Sequence, residues 1–348
     1  MENQLVSIII TNLNGRRWLK ELFSSLSSQT YKNIEIIFVD GGSEDGSLKE
    51  ARILLKKFKK SKLIIEKRPG WSLANNVGAK AATGKIFFFL SNDIKVDKVC
   101  TQEIVNFLND HPRVAIVQCH SLSLWDKKIL DSGMNFIDKF GFLYGFKPTK
   151  RPAKTFMTEG MAFAVKVEVY KKTKLDNAFI MEYDDVDFSW RVRLLGWEIV
   201  FLPSAKVYHA RGGTVGTTYF ERKLRNIKQY NKNHLVSLTR NLEFPQVIFS
   251  VSAVILIRIL TSLFFTLKGR YNLAWANLYG LIWYLKELPK ILNQRLKVQS
   301  TRKISDEELK IYLVPFNLSF LISWISSQKE GKRSFLSSKL LPKRILIN

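Results

Sequence analysis

The chain has 348 residues, 46% of them hydrophobic and 24% charged, which excludes a disordered polypeptide and is enough to bury a sizeable core. Lys and Arg number 55 against 30 Asp and Glu, a net charge of +25, and so strong a bias implies a polyanionic partner: nucleic acid, an anionic membrane face or phosphorylated substrates. The two cysteines, Cys100 and Cys119, have no spacing that suggests a zinc site or a disulfide framework, and they read as reduced thiols.

From the N-terminus, MENQLVSIII has no basic region and too short an apolar run for a signal peptide, so this part of the chain is expected not to be secreted. LVSIIIT (5–11) is a β-branched strand. Residues 15–29 place Trp18, Leu19, Leu22, Phe23 and Leu26 at helical spacing. IEIIFVD (34–40) is a strand, 46–58 a helix, 62–67 a strand, 72–82 a helix and KIFFFL (85–90) a strand. That alternation predicts βαβ units, an α/β doubly wound and mostly parallel sheet covered on both faces. Ligands of such sheets gather beyond the carboxyl ends of the strands, where Asp40 and Asp93 fall.

Residues 114–210 mix short strands (VAIVQC, EIVFLP) with a helix around DVDFSWRVRLLGW. Near residue 220 the character changes, dividing a domain over 1–220 from a basic, apolar helical region over 221–348. A basic helix (221–241) precedes 246–267, where Arg258 is the only charge. About 20 apolar residues suffice to span a bilayer, and the basic flanks suit an anionic leaflet. Arg258 at mid-span is penalised by about 2.5–3.5 kcal/mol, which a strongly apolar helix absorbs. The segment therefore either spans the bilayer or lies at its surface, with a lean towards insertion. LAWANLYGLIWYL (273–285) is too short to span and carries interfacial Trp and Tyr.

Four places carry chemistry. FFFLSND (87–93) ends a buried strand on a carboxylate, and an unpaired buried charge is costly. Asp93 there can hold a divalent cation against a departing diphosphate, the cation needing one or two carboxylates besides the phosphates; the plain alternative is a cap for a helix beginning near Asp97. Asp40 opens VDGGSEDGS and can accept from a base N–H or a ribose hydroxyl, or simply lead a turn into a capped helix. Glu182, Asp184, Asp185 and Asp187 crowd ahead of a helix. Acids there favour the helix dipole, but four in six residues exceed that need, and one can serve as general base. His209 follows a strand and precedes Gly-Gly, where an imidazole can join Asp93 on a metal or meet a diphosphate.

These sites, in this order, resemble the family 2 glycosyltransferases of GT-A fold, in particular the rhamnosyltransferase-like branch of surface-polysaccharide enzymes. The likeness rests on SIIITNLNG, SLSSQTYKNIEIIFVDGGSEDGS, NNVGAKAATGKIFFFLSND, EYDDVDFSWRVRLLGW and YHARGGT, over roughly residues 5 to 215. The resemblance implies that Thr11, Asn12 and Asn14 line the nucleotide site, that Asp40 contacts base or ribose, and that Asn76 and Gly78 shape the donor pocket. It implies Asp93 as the metal-binding carboxylate with His209 on metal or diphosphate, and Asp185 as base with Asp184 beside it. Ser91 stands where the family often has Asp or Asn, leaving Asp93 alone to ligate directly. The Q-x-x-R-W signature of processive members is missing, which argues for adding one or a few sugars.

The expected activity is inverting, metal-dependent (Mg2+ or Mn2+) transfer from a UDP-, dTDP- or GDP-sugar to a lipid-linked glycan at the cytoplasmic face of the cell membrane. The alternative is an inactive nucleotide-sugar-binding subunit. A nucleotidyltransferase would want a Gly-rich loop after the first strand, and TNLNGRRW has one Gly. No nucleic-acid recognition motif occurs.

Overall fold

β-Branched and aromatic runs alternate with amphipathic segments, and each finds the period it encodes. A computed structural model describes residues 4–211, 219–317, 336–337, 341 and 345–347. In chain order, β1 (Val6–Asn12), α1 (Arg16–Ser27), β2 (Ile34–Asp40), α2 (Ser47–Leu55), β3 (Ser61–Ile65), α3 (Trp71–Ala81) and β4 (Ile86–Ser91) form the wound half. Then come β5 (Ile94–Val96), α4 (Cys100–Asp110), β6 (Val114–Ser123), β7 (Met134–Ile137), β8 (Leu143–Phe146), β9 (Ala153–Lys154), β10 (Ala162–Lys166), α5 (Val167–Thr173), α6 (Asp184–Leu194) and β11 (Glu198–His209). Three long helices follow, α7 (Tyr219–Asn241), α8 (Gln246–Leu267) and α9 (Tyr271–Thr301), and then the short α10 (Asp306–Leu309).

The main sheet runs β3-β2-β1-β4-β10-β6-β11-β5, with β9 on β11. β1 to β4 are parallel as expected, while β10 is antiparallel to both neighbours. Because both faces are covered, the central strands are apolar on both sides, Ser7 and Glu35 being buried exceptions that bond each other (2.6 Å). Ile8, Ile10, Phe38 and Phe88 enter the core under α1 and α4, and Ile9, Ile37, Phe87 and Phe89 enter the opposite one with Phe188 of α6. Gly78 brings α3 down onto the sheet, since a Cβ there would lie 2.5 Å from Ile9 Cγ2. Glycine at 78 is thus a packing requirement.

The helical region shares a core with what precedes it. Phe136, Trp190 and Phe201 belong to the same buried cluster as Leu235, Val254 and Tyr284. Asp187, wholly buried, fixes α6 to α7 through Arg240 (2.7 Å) and pairs with Arg191 in its own helix (2.8 Å). One of the four clustered acids is therefore a structural anchor. The 273–285 patch is the first part of the 31-residue α9. Arg258, expected amid a bilayer, instead turns inward and is 1% exposed. Its guanidinium lies over Phe142 (5.7 Å) and Tyr230 (5.6 Å), and Nη2 is 3.2 Å from His234 Nδ1.

Burial alone would raise the Asp187 carboxyl, but Arg240 and Arg191 hold it well below the usual carboxylate range. A group depressed in the folded state stabilises above its unfolded pKa, and that stabilisation is lost as pH falls. Chemical denaturation should therefore show stability declining below about pH 4. Asp187→Ala, which leaves Arg240 with Asp176 alone (2.6 Å), should cost about 3 kcal/mol at neutral pH, the low end for a broken buried pair.

Candidate active site

Strand register assembles the first group. β1 pairs Asn12 with Asp40 and Thr11 with Ser91, so the ends of β1, β2 and β4 lie side by side. Asp40 is fully buried. Its Oδ1 accepts the Gly42 and Ser43 N–H groups (2.9 and 2.7 Å), and its Oδ2 accepts Ser43 Oγ (2.8 Å) and Asn12 Nδ2 (2.7 Å). The carboxylate is thus engaged within the β2–α2 loop, which it shapes. Asn14, at φ +51°, accepts the Glu44 N–H at 2.9 Å and gives its own N–H to Ser43 Oγ at 2.8 Å. Asn92 Nδ2 reaches Asn12 Oδ1 (2.7 Å) directly over Gly15, where a Cβ would be 2.0 Å from that nitrogen. A side chain at residue 15 would push the Asn92 amide off Asn12.

Asp93 follows β4 in a tight turn, and β5 intervenes before α4 starts at Cys100, so it caps no helix. β11 pairs His209 with Ile94, which sets the imidazole beside Asp93, Nε2 to Oδ2 at 3.2 Å. The other ring nitrogen meets a residue the sequence reading did not single out: Asp131, 3% exposed, 3.0 Å from Nδ1. Asp131 also accepts from Ser121 Oγ (2.8 Å) and from the Arg211 guanidinium. Burial pushes the imidazole down and its two carboxylate neighbours raise it to about 9, while Asp131, burial notwithstanding, falls to about 2. Without a metal the two carboxylates favour the protonated ring, and a cation taken up at Nε2 would displace that proton.

The second acidic group lies at the start of α6. Glu182 and Tyr183 both take left-handed backbone (φ +61° and +67°), a strained pair of the kind found at functional sites. Asn233 of α7 secures this turn through the Met181 and Glu182 carbonyls (2.9 and 2.7 Å). Asp184 is nearly buried and accepts from Ser72 Oγ at 3.3 Å. Asp185 accepts the Gly160 N–H at 3.0 Å. Burial, with Glu182 nearby, raises Asp184 to about 7. Burial, Asp184 and Glu159 push Asp185 up as well.

The two groups are joined through the segment ahead of β10. Gly160 binds Asp185, while the next residue, Met161, accepts the Ser91 N–H at 2.9 Å. Asn76 forms its hydrogen bonds apart from this junction. Its Nδ2 donates to Leu175 O (2.8 Å) and Asn177 Oδ1 (2.6 Å), and its Oδ1 accepts from Tyr170 (2.6 Å). Ser72, Asp131, Glu159 and Gly160 escaped the sequence reading. Only Asp131 carried a signal, an acid before Ser-Gly like the one before Gly-Gly at Asp40.

A mostly parallel sheet with its polar side chains gathered at the strand ends, flanked by helices, is the GT-A architecture, and solved structures agree. GalNAc-T7 with UDP, GalNAc and Mn2+ superposes with TM-score 0.57 at 17% identity, over 70% of this chain and 49% of that one. The mannosyltransferase PcManGT from Pyrobaculum calidifontis, in complex with GDP-Man and Mn2+, gives 0.51 at 16%, over 81% and 87%. Residues 7–173 match the family described as "Glycosyl transferase family 2". An "uncharacterized glycosyltransferase" of Rickettsia bellii (strain RML369-C) is 36% identical over 146 residues, 41% of this chain and 19% of that protein. The chain spans less than half the length of the first curated relatives it matches.

Raised carboxyls predict a visible titration. Carbon-13 NMR of the Asp carboxyls should show one member of the Asp184–Asp185 pair titrating near neutral pH. Asp184→Asn, by removing a like charge, should move the Asp185 midpoint downward.

Proposed function

We propose that the protein is a metal-dependent, inverting glycosyltransferase that moves a hexosyl or rhamnosyl unit from a nucleotide-diphosphate donor to a hydroxyl of a lipid-linked glycan, adding one or a few sugars. The observation that carries this reading is the junction through Gly160 and Met161 of a proton-accepting acid pair and the Asp93–His209 pair.

Asp93 and His209 fit a divalent cation. Their Oδ2 and Nε2 sit 3.2 Å apart, a separation that two ligands of one ion can keep, and Asp131 on Nδ1 is the outer carboxylate that orients a ligating histidine. Among the described residues no group of three His, Cys, Asp or Glu converges to hold an ion unaided, which leaves the remaining positions to diphosphate and water, as hard cations accept. A mixed carboxylate and imidazole set suits Mn2+ at least as well as Mg2+. When bound, the ion would neutralise charge developing on the departing diphosphate.

The chain's own residues do the rest. Asp40 holds the loop from Gly41 to Ser43 and, with Asn92, fixes Asn12, so that Thr11, Asn12 and Asn14 form a rigid edge against the nucleotide. Asp185, its basicity raised by burial and by Asp184, removes the proton of the acceptor hydroxyl. The freed oxygen attacks the anomeric carbon as the bond to diphosphate breaks, a single displacement that inverts configuration. Gly160 steadies the carboxylate while this occurs. The UDP- and GDP-bound states of the two structural neighbours support a nucleotide donor in this cleft. The basic, apolar α8–α9 region supports a lipid-linked acceptor at the cytoplasmic membrane face.

Asp185→Asn should lower kcat about 10²–10⁴-fold and leave nucleoside-diphosphate affinity, read by calorimetry, unchanged; near-normal turnover would refute the assignment. Because the base must be unprotonated and its partner sits at about 7, kcat should rise with pH through neutrality. Asp131→Asn should weaken Mn2+ binding in the presence of nucleoside diphosphate by about 10–100-fold, measured by electron paramagnetic resonance.

A further inference from the structure

Helix α8 is amphipathic in the wrong sense for water. Its protein-facing side carries Ser250, Arg258, Thr261 and Ser262, all buried. Its outward side presents Ile248, Leu256, Leu260, Leu263 and Phe264, each about half exposed (49–60%), and no charge. Polar groups inward and large aliphatics outward are stable where the outer medium is hydrocarbon. α9 packs back along α8 through Ser262 Oγ to Ala274 O (3.0 Å) and extends the apolar face with Tyr271, Trp275 and Ile282, 68%, 52% and 52% exposed.

α8 is the described helix long and apolar enough to cross a membrane, but what it is packed with forbids that. α7 lies along α9, whose Gly280 permits contact so close that a Cβ would be 2.9 Å from Lys232 N. Leu224 and Ile227 of α7 meet Phe265 of α8 and Leu273 of α9 near the hairpin tip. Arg222, Lys223 and Arg225 flank those tip contacts, while Lys228 and Lys232 lie further back over the Tyr279 and Trp283 rings of α9 (5.2 and 4.6 Å), so a crossing hairpin would carry the first three through the bilayer and leave the last two within it. Lying flat immerses only the outer face. The edges suit that posture: Lys268 and Arg270 are exposed at the tip and Lys286 and Lys290 on α9. Between Gln246 and Thr301, Glu287 is the only acid against seven basic residues.

We propose that the outer face of α8 and the first half of α9 is an in-plane footing on an anionic phospholipid leaflet, with the basic residues around it meeting the headgroups. This rests on the helical face and not on the sugar-transfer reading, although it would bring the cleft to a lipid-borne acceptor.

The full chain is mixed with vesicles of phosphatidylcholine alone or with phosphatidylglycerol, and sedimented. Binding should be at least about tenfold tighter to the anionic vesicles and weaken with salt. Leu256→Glu with Leu263→Glu should lower it a further tenfold or more at unchanged Tm. Depth is then read with a fluorophore on single cysteines replacing Ile248, Leu256 or Leu263, the native Cys100 and Cys119 being buried. Ile248 and Leu263 lie about 22 Å apart along the axis. A flat helix gives all three one shallow depth, while a spanning helix grades them and overturns the proposal. Failure to bind either vesicle overturns it too, as does a dimer that forms through this face without lipid and is abolished by the double variant. If the double variant does not fold, the depth readings carry the test. Vesicle binding without sugar transfer would sink the enzymatic reading alone, and transfer to a soluble acceptor without vesicle binding would sink this one.

Discussion

The parallel register that sets Asn12 against Asp40 and Thr11 against Ser91 is the constraint on which the whole site rests. Side chains alternate across a strand, so a one-residue slip would turn Ile8 and Ile10 to the wrong core and carry Asn12 away from its partners. Burial on both faces enforces the register. The same logic fixes β11, whose pairing of His209 with Ile94 delivers an imidazole to Asp93 from 116 residues further along the chain. The chemistry at the strand ends is a by-product of where the hydrophobic runs must stop.

Two electrostatic environments meet there and pull in opposite directions. Around His209, two carboxylates surround one base and favour charge on all three, Asp131 low and the imidazole high. Around Asp185, acids face one another in partial burial and favour protonation. A site that handles a departing anion on one side and a leaving proton on the other needs both. The left-handed backbone at Glu182 and Tyr183 is tolerated because α7 grips it through Asn233 to the carbonyls, and the β7–β8 loop holds it through Tyr183 OH to Gly141 O at 2.7 Å. The helical region therefore serves the cleft mechanically as well as facing outward. Arg258 links the two roles, since it stacks on Tyr230 of α7 while its own helix exposes hydrocarbon on the other side.

Much could be read from the sequence. Alternating apolar runs gave the wound sheet, and the helix at 246–267 has the bounds its composition suggested. Asp93, His209, Asp184 and Asp185 stood out as polar interruptions of apolar segments, and they do gather at the strand ends and beside them. Local pattern decided these because burial of a β-branched strand or an apolar helix depends on the segment itself. The partners of Asn76 were not legible, because Leu175 and Asn177 come from a loop about a hundred residues away. Asp131 went unnoticed since its meaning lies in His209, 78 residues on.

What the sequence by itself determined was the set of elements, the placing of carboxylates where strands end, and an apolar helix among basic neighbours. Tertiary structure decided which acid anchors and which does not, Asp187 being locked by Arg240 while Asp185 is met, among the described residues, by the backbone N–H groups of Gly160 and Val186. It also decided which way Arg258 points, and hence that the surface α8 leaves outside carries no charge. The reason is common to both. A side chain's charge state and direction are set by what packs beside it, and those neighbours come from segments far apart in the chain, which only folding brings together.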